Sequence, residues 1–207
     1  MAIKTLQENV NQAINDLCEI RQALINKGVE CPSGTPTCEY GEKINEIKSG
    51  DTTDLKGIIE RTAVNPKLPN DLTVIGNYAF YQCRNLALTE LPSGVTSIGN
   101  NAFYQCSSLA LTKLPSGVTI IGSSAFSYCT KLKLTEIPAS VTVIYNQAFM
   151  RCDSMTEITF KGKPNTIASG AFSASGLKTI RVPWASGEVA NAPWGASSAS
   201  IIYSYTE

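Results

Sequence analysis

LPNDLTVIGNYAFYQCRNLALTE, residues 68–90, is followed directly by LPSGVTSIGNNAFYQCSSLALTK at 91–113 and LPSGVTIIGSSAFSYCTKLKLTE at 114–136. IPASVTVIYNQAFMRCDSMTEITF (137–160) continues the phrase, and KGKPNTIASGAFSASGLKTIRVP (161–183) is a degraded copy of it. A fixed period of 23 residues means stacked supersecondary units that share one continuous core. Residues that recur in every copy are therefore read first as packing.

In the second copy Leu91, Val95, Ile98, Ala102, Phe103, Cys106 and Leu109 hold the apolar positions, and their equivalents are apolar in nearly every other copy. Val95 to Ile98 reads as a short strand, whereas Ala102, Phe103, Cys106 and Leu109 follow a helical i, i+1, i+4, i+7 spacing. Pro92, Pro115 and Pro138 mark the turn after each Leu/Ile strand end, where a missing N–H does least harm. Gly76, Gly99 and Gly122 are expected to permit a tight bend, which Tyr145 must make in the fourth copy. Equivalent residues of stacked coils lie about 4.8 Å apart, so Cys83, Cys106, Cys129 and Cys152 predict a column of buried thiols acting as small hydrophobes.

The chain has 207 residues, 43% of them hydrophobic, with 17 basic and 17 acidic side chains and formal charge zero. Neither nucleic acid nor an anionic membrane surface is an expected partner, because both need a basic patch. No segment approaches the roughly 18 consecutive apolar residues of a membrane span. MAIKTLQENVNQ lacks the layout of a secretory signal. The expected site of synthesis and folding is a cytoplasm, which disfavours disulfides. Outside the repeats, Cys31 and Cys38 form the one pair spaced to close a short loop.

Four segments follow. Residues 1–28 read as one helix in which Ile3, Leu6, Val10, Ala13, Leu17, Ile20 and Leu24 alternate at spacings of three and four, an a/d seam. Gly28 is placed for a left-handed cap. Self-association is expected over a helix folded back on its own chain, because the repeat array is self-contained and offers no groove for so long a helix. Ile14 and Ile25 widen the stripe, which suits a homotrimeric coiled coil better than two strands. Residues 29–54 read as loop, short helix (Tyr40, Ile44, Ile47) and polar linker. Residues 55–183 form the solenoid, with LKGIIERT (55–62) as a strand leading in. Residues 184–207 close it: an open solenoid exposes apolar ends, and Trp184 and Trp194, the two tryptophans of the chain, are expected to plug the core beside a closing strand of Ile201, Ile202 and Tyr203.

There is no histidine, which removes His-based triads, His-ligated zinc and imidazole acid–base chemistry. No phosphate-binding glycine loop occurs, and the cysteines lack paired zinc spacing. The chain is expected to be no enzyme and to need no cofactor and no metal. The surface slots that vary most between copies are Asn77/Tyr78, Asn100/Asn101, Ser123/Ser124, Asn146/Gln147, and Tyr81/Gln82, Tyr104/Gln105, Ser127/Tyr128, Met150/Arg151. Among them Tyr78, Tyr81, Tyr104, Gln105 and Tyr128 form the candidate ligand-binding surface, because flat amphipathic rings beside amide donors suit sugars. The plainer reading is that these tyrosines merely cover the coil.

The unit T-x-I-G-x-x-A-F-x-x-C-x-x-L, as in LTVIGNYAFYQCRNL, VTSIGNNAFYQCSSL and VTIIGSSAFSYCTKL, resembles BspA-type leucine-rich repeats over about residues 68–183. The resemblance implies an α/β solenoid with short strands on one side and tight helical turns on the other. It is preceded here by an N-terminal coiled-coil helix. It also implies adhesion to proteins, cells or glycans. Secreted bacterial members carry a signal and a surface anchor, and neither pattern is seen in this sequence. INDLCEIRQALINKGVECP with YGEKINEI resembles a short attachment module of tailed-phage structural proteins, and VPWASGEVANAPWGASSASIIYSY resembles the ends of repeat proteins in phage and prophage genomes. These imply a virion protein, a head or tail fibre or decoration, held to other virion proteins through residues 1–50. The solenoid would then face a host-surface glycan or protein. A purely structural, particle-stabilising role and a bacterial surface adhesin are the alternatives.

Overall fold

A computed structural model describes residues 64–68 and 70–206. The seam residues Ile3, Leu6, Val10, Ala13, Leu17, Ile20 and Leu24, the attachment segment 29–54 and the strand expected at 55–62 lie outside the described residues.

Among the described residues nine short strands form two parallel sheets. One sheet stacks β1 (Val74–Ile75), β2 (Ser97–Ile98), β3 (Ile120–Ile121), β5 (Val143–Ile144) and β7 (Thr166–Ile167). The other stacks β4 (Glu136–Ile137), β6 (Glu157–Phe160), β8 (Thr179–Arg181) and β9 (Ser200–Ile202). Registers such as Ile75↔Ile98 and Ile98↔Ile121 are one repeat apart, so each coil lays an identical row on the last. Within a row Val95 and Ile98 are buried while Thr96 faces out. Thr96, Thr119 and Thr142 each donate a hydroxyl to the threonine carbonyl one coil back, all at 3.1 Å.

Between the two sheets the chain runs through an arc of tight turns, where the sequence spacing predicts a helix. No helix occurs among the described residues, so the solenoid is β-rich rather than α/β. Two residues per coil hold left-handed backbone: φ is 54° at Asn101 and 57° at Gln105, with the same pairing at Tyr78/Gln82, Ser124/Tyr128 and Gln147/Arg151. Such residues stop a right-handed helix from propagating. The hydrogen bonding alternates accordingly. The N–H groups of Tyr104 and Cys106 bond three residues back, to Asn101 and Phe103. Those of Asn101, Phe103 and Gln105 reach the carbonyls of Ser123, Ala125 and Ser127 in the next coil. Apolar residues at i, i+1, i+4 and i+7 face one side in this arc as they would in a helix, so spacing alone does not separate the two.

The arc delivers one phenylalanine per coil to the centre. Phe80, Phe103, Phe126, Phe149 and Phe172 form a column with successive ring centroids 5.1, 5.2, 5.4 and 5.1 Å apart and planes within 6° of parallel. Beside it run Leu86, Leu109 and Leu132, and Ile75, Ile98, Ile121 and Ile144, all buried. Fully burying such side chains contributes about 1.5–3 kcal/mol each.

The glycines at the head of the arc serve close approach rather than the bend. A Cβ on Gly99 would lie 2.6 Å from the Asn77 backbone N and its Oδ1, and one on Gly122 would lie 2.5 Å from the Gly99 carbonyl carbon. The asparagine concerned accepts from the coil above: Asn77 Oδ1 from the Asn100 N–H at 2.7 Å, and Asn100 Oδ1 from the Ser123 N–H at 2.8 Å. Tyr145 stands where the coil beneath carries Ser123 in place of asparagine, and it is exposed.

At the C-terminal end β9 adds a last parallel row, Ile180↔Ile201. Trp184 and Trp194 are buried and ring Phe160 at 5.3 and 6.0 Å. The Trp194 carbonyl accepts the Phe172 N–H at 2.9 Å, taking the role that the next coil plays elsewhere. Its indole Nε1 donates to the Ala190 carbonyl at 2.7 Å. The closing strand runs over Ser200–Ile202, so Ile201 and Ile202 lie in it and Tyr203 just beyond it. No helix among the described residues is long and apolar enough to cross a membrane.

Candidate functional site

The turn arc positions every predicted surface residue. Tyr78, Gln82, Gln105 and Tyr128 occupy its left-handed positions, with φ of 59°, 60°, 57° and 62°, and Tyr81 and Tyr104 stand between them. The four tyrosines make one continuous chain of ring contacts. Tyr78 and Tyr81 lie 5.5 Å apart and tilted by 53°. Tyr81 and Tyr104, one coil apart, stack at 5.0 Å and 10°. Tyr128 meets Tyr104 edge-on at 5.7 Å and 67°. All four rings are half-buried, so the patch is both packed and accessible.

Gln105 ties the patch together. Its Oε1 accepts from Arg84 Nη2 at 3.2 Å, and its side chain also hydrogen-bonds the Tyr104 hydroxyl. Burial, reinforced by the neighbouring Tyr81 and Tyr128, raises the Tyr104 pKa against that bond, so the phenol remains a neutral donor near pH 7. Arg84 is a member that residue type alone does not point to. So is Ser127, which takes the place of a tyrosine in the column Tyr81–Tyr104. Ser127 belongs to the slots that vary between copies, yet its residue type leaves it out of the expected binding set.

The repeated thiols are not candidate nucleophiles. Cys83, Cys106, Cys129 and Cys152 are buried thiols outside any disulfide. Cys106, Cys129 and Cys152 donate to the carbonyls of Phe80, Phe103 and Phe126 at 2.9, 3.0 and 3.1 Å. Burial pushes the pKa of all three well above the ordinary thiol range. A reactive cysteine needs the opposite surroundings, electropositive and partly exposed. The described carboxylates in ion pairs serve the surface: Glu136 with Lys161, Glu157 with Arg181 and Glu188 with Lys163. Among the described residues no group of three or more His, Cys, Asp or Glu side chains is placed to hold a metal ion.

Two parallel ladders joined by a turn arc, with one phenylalanine in each of five coils and a thiol in the first four inside, define a leucine-rich-repeat solenoid bearing an aromatic surface patch. The chain belongs to the BspA-type leucine-rich repeat family, whose model matches residues 65–192 in six copies. Among solved structures it is similar to a leucine-rich repeat protein from Bacteroides ovatus, at 31% identity over 58% of this chain and 32% of that one, with a TM-score of 0.48. It is also similar to the leucine-rich repeat protein of T. pallidum, at 25% identity over 69% of this chain and 70% of that one, with a TM-score of 0.53. A leucine-rich cell surface protein from Faecalibacterium prausnitzii matches at 27% identity over 64% of this chain and 43% of that one, with a TM-score of 0.46. The chain thus spans about a third of the length of the Bacteroides protein. No curated protein matches it.

Proposed function

We propose that the protein is a non-enzymatic adhesive module whose solenoid presents the Tyr78–Tyr81–Tyr104–Tyr128 patch, with Gln105, to a host-surface glycan or protein. The observation that carries this reading is the unbroken line of ring contacts across three coils, half-exposed, on a scaffold whose core repeats exactly where the patch varies. A rigid aromatic and amide surface binds with little ordering of its own side chains. The buried, proton-holding thiols and the surface-paired carboxylates support a binding role over catalysis.

In the finer form of the proposal the chain is a tailed-phage virion structural protein, a head or tail fibre or decoration. Residues 1–50 hold it to other virion proteins, and the seam Ile3, Leu6, Val10, Ala13, Leu17, Ile20 and Leu24 holds it to two sister copies. The support is the resemblance of the N-terminal module and of the closing segment to phage proteins, together with a formal charge of zero that suits neither nucleic acid nor membrane.

A glycan array and a host-cell binding assay, run on the full chain and on a Tyr81→Ala/Tyr104→Ala variant, test the adhesive reading. Enrichment of the wild type with loss in the variant, at unchanged circular dichroism, is the expected result. No enrichment of the wild type rules the adhesive role out. The assembly is tested by light scattering: the wild type should be trimeric and Leu17→Asp/Ile20→Asp monomeric, because the substitutions place charges in the seam. A monomeric wild type refutes it.

A further inference from the structure

The tyrosine column has a break, and a buried serine hydroxyl stands at the break. Backbone bonds Gln82 N–Tyr104 O, Gln105 N–Ser127 O and Tyr128 N–Met150 O fix the register of successive coils. Tyr104 therefore sits over Tyr81, and Ser127 over Tyr104. Tyr81 and Tyr104 stack in parallel, and a third tyrosine would continue the stack. Serine stands there instead, 1% exposed, and its Oγ is buried with no hydrogen-bond partner. A buried hydroxyl left without a partner is disfavoured and rare in a native fold. The ring that meets Tyr104 from this coil is that of Tyr128, from the adjoining column, edge-on at 67° rather than stacked. That column carries glutamine in the two coils before, Gln82 and Gln105. Tyr128 thus fills the place of the missing ring without reproducing its stacking.

We infer that the Ser127 break is a saccharide slot: a single pyranose ring lies against the face of Tyr104 where a third tyrosine would stack, with Tyr128 as its movable cover. The inference rests on the adhesive reading and names its ligand class and position. A pyranose presents an apolar C–H face to an aromatic ring and hydroxyls at its rim, which is the pairing that the slot offers. Tyr104 supplies the ring. Ser127 Oγ supplies a donor and acceptor at the floor. Gln105, engaged by Arg84 and by the Tyr104 hydroxyl, fixes the orientation of the stacking ring. A purely aromatic ligand would fill the stack but leave the serine hydroxyl unpaired.

The experiment uses the full chain and a panel of neutral malto-, cello-, chito- and galacto-oligosaccharides, on an array and by titration in solution. Ser127→Tyr completes the ladder and closes the slot, and is expected to weaken binding at least tenfold. Ser127→Ala removes only the hydroxyl. It is expected to raise the thermal midpoint slightly while weakening binding severalfold, a divergence that a merely structural serine would not produce. If Ser127→Tyr and Ser127→Ala both bind as the wild type does, the slot is overturned while adhesion elsewhere on the patch stands. If the wild type binds no saccharide but does bind host surface protein, the ligand class is overturned. If it binds neither, the adhesive reading falls as well.

Discussion

The Cys129 thiol donates to the Phe103 carbonyl, 3.0 Å away and one coil back, and the same carbonyl accepts the Cys106 backbone N–H at 3.1 Å. One atom thereby joins the turn of its own coil to the side chain of the next. Cysteine suits the position because sulfur is apolar enough to be buried, long enough to reach, and still a weak donor. Cys129→Ala should cost about 1 kcal/mol for the lost atom and bond. Cys129→Ser should cost more, about 2 kcal/mol, because the shorter hydroxyl is left buried without its acceptor. Urea denaturation of the two variants measures this, and a serine variant more stable than the alanine one would contradict it.

Burial of these thiols also sets an alkaline limit on stability. Cys106, Cys129 and Cys152 keep their protons in the fold at pH values where an unfolded thiol, with its ordinary value of 9.0, has lost its own. Above about pH 9 the unfolded chain therefore binds fewer protons than the folded one, and stability falls as pH rises. Three such groups give a slope of about 4 kcal/mol per pH unit, while below the ordinary thiol value their contribution is fully present. Replacing all three with alanine should flatten the decline. A wild-type midpoint that is flat from pH 8 to 11 would defeat the argument.

Ser175 occupies the cysteine position of the fifth copy, and its Oγ is buried without a partner. The equivalent acceptor, the Phe149 carbonyl, already takes the Cys152 N–H at 3.4 Å and has room for a second donor, as the Phe103 carbonyl does. Ser175→Cys should restore the ladder and stabilise the protein by about 1 kcal/mol, read as a rise in thermal midpoint. No rise, or a fall, would mean that the ladder is not transferable to the last coil.

The period, the phenylalanine column, the thiol column and the tryptophan plug were all legible in the sequence, because each depends on side chains that recur at one spacing. The arc was not. Left-handed backbone usually announces itself through glycine, whereas here Asn101, Gln105, Ser124 and Tyr128 adopt it, at about 1–2 kcal/mol each, held by bonds to the neighbouring coil. Gly99 and Gly122 stand at the bend, but their constraint is the asparagine and backbone one coil away. At the candidate site the tyrosines could be named from the sequence, but the bond between Arg84 and Gln105 and the covered hydroxyl of Ser127 depend on which coil lies against which.

Gly122 and Gly117, five positions apart, separate these two roles. A Cβ on Gly122 would meet the Gly99 carbonyl carbon at 2.5 Å and the Asn100 nitrogen at 2.6 Å, both backbone, so neighbouring coils must part to admit it. One on Gly117 would meet nothing nearer than 3.7 Å. Gly122→Ala should destabilise by about 2–3 kcal/mol, in the range of overpacking. Gly117→Ala should be neutral or stabilising by up to about 1 kcal/mol, through reduced freedom of the unfolded chain. Equal effects at the two sites would show that close approach is not what selects glycine.

The cap makes the last claim on the fold. Trp194 packs at the end of the core: its ring lies 6.0 Å from Phe160 and 6.3 Å from Trp184, and its carbonyl takes the Phe172 N–H. In a stack where each coil touches only its neighbours, the loss of an end exposes one coil at a time. Trp194→Ala should cost about 3–5 kcal/mol, and the damage should be graded along the axis. Hydrogen exchange should quicken first at Phe172 and Ile180, then at Phe149, and least at Phe103. Uniform loss of protection at Phe103 and Phe172 would mean that the coils unfold as one block and that the tryptophan does more than close the end.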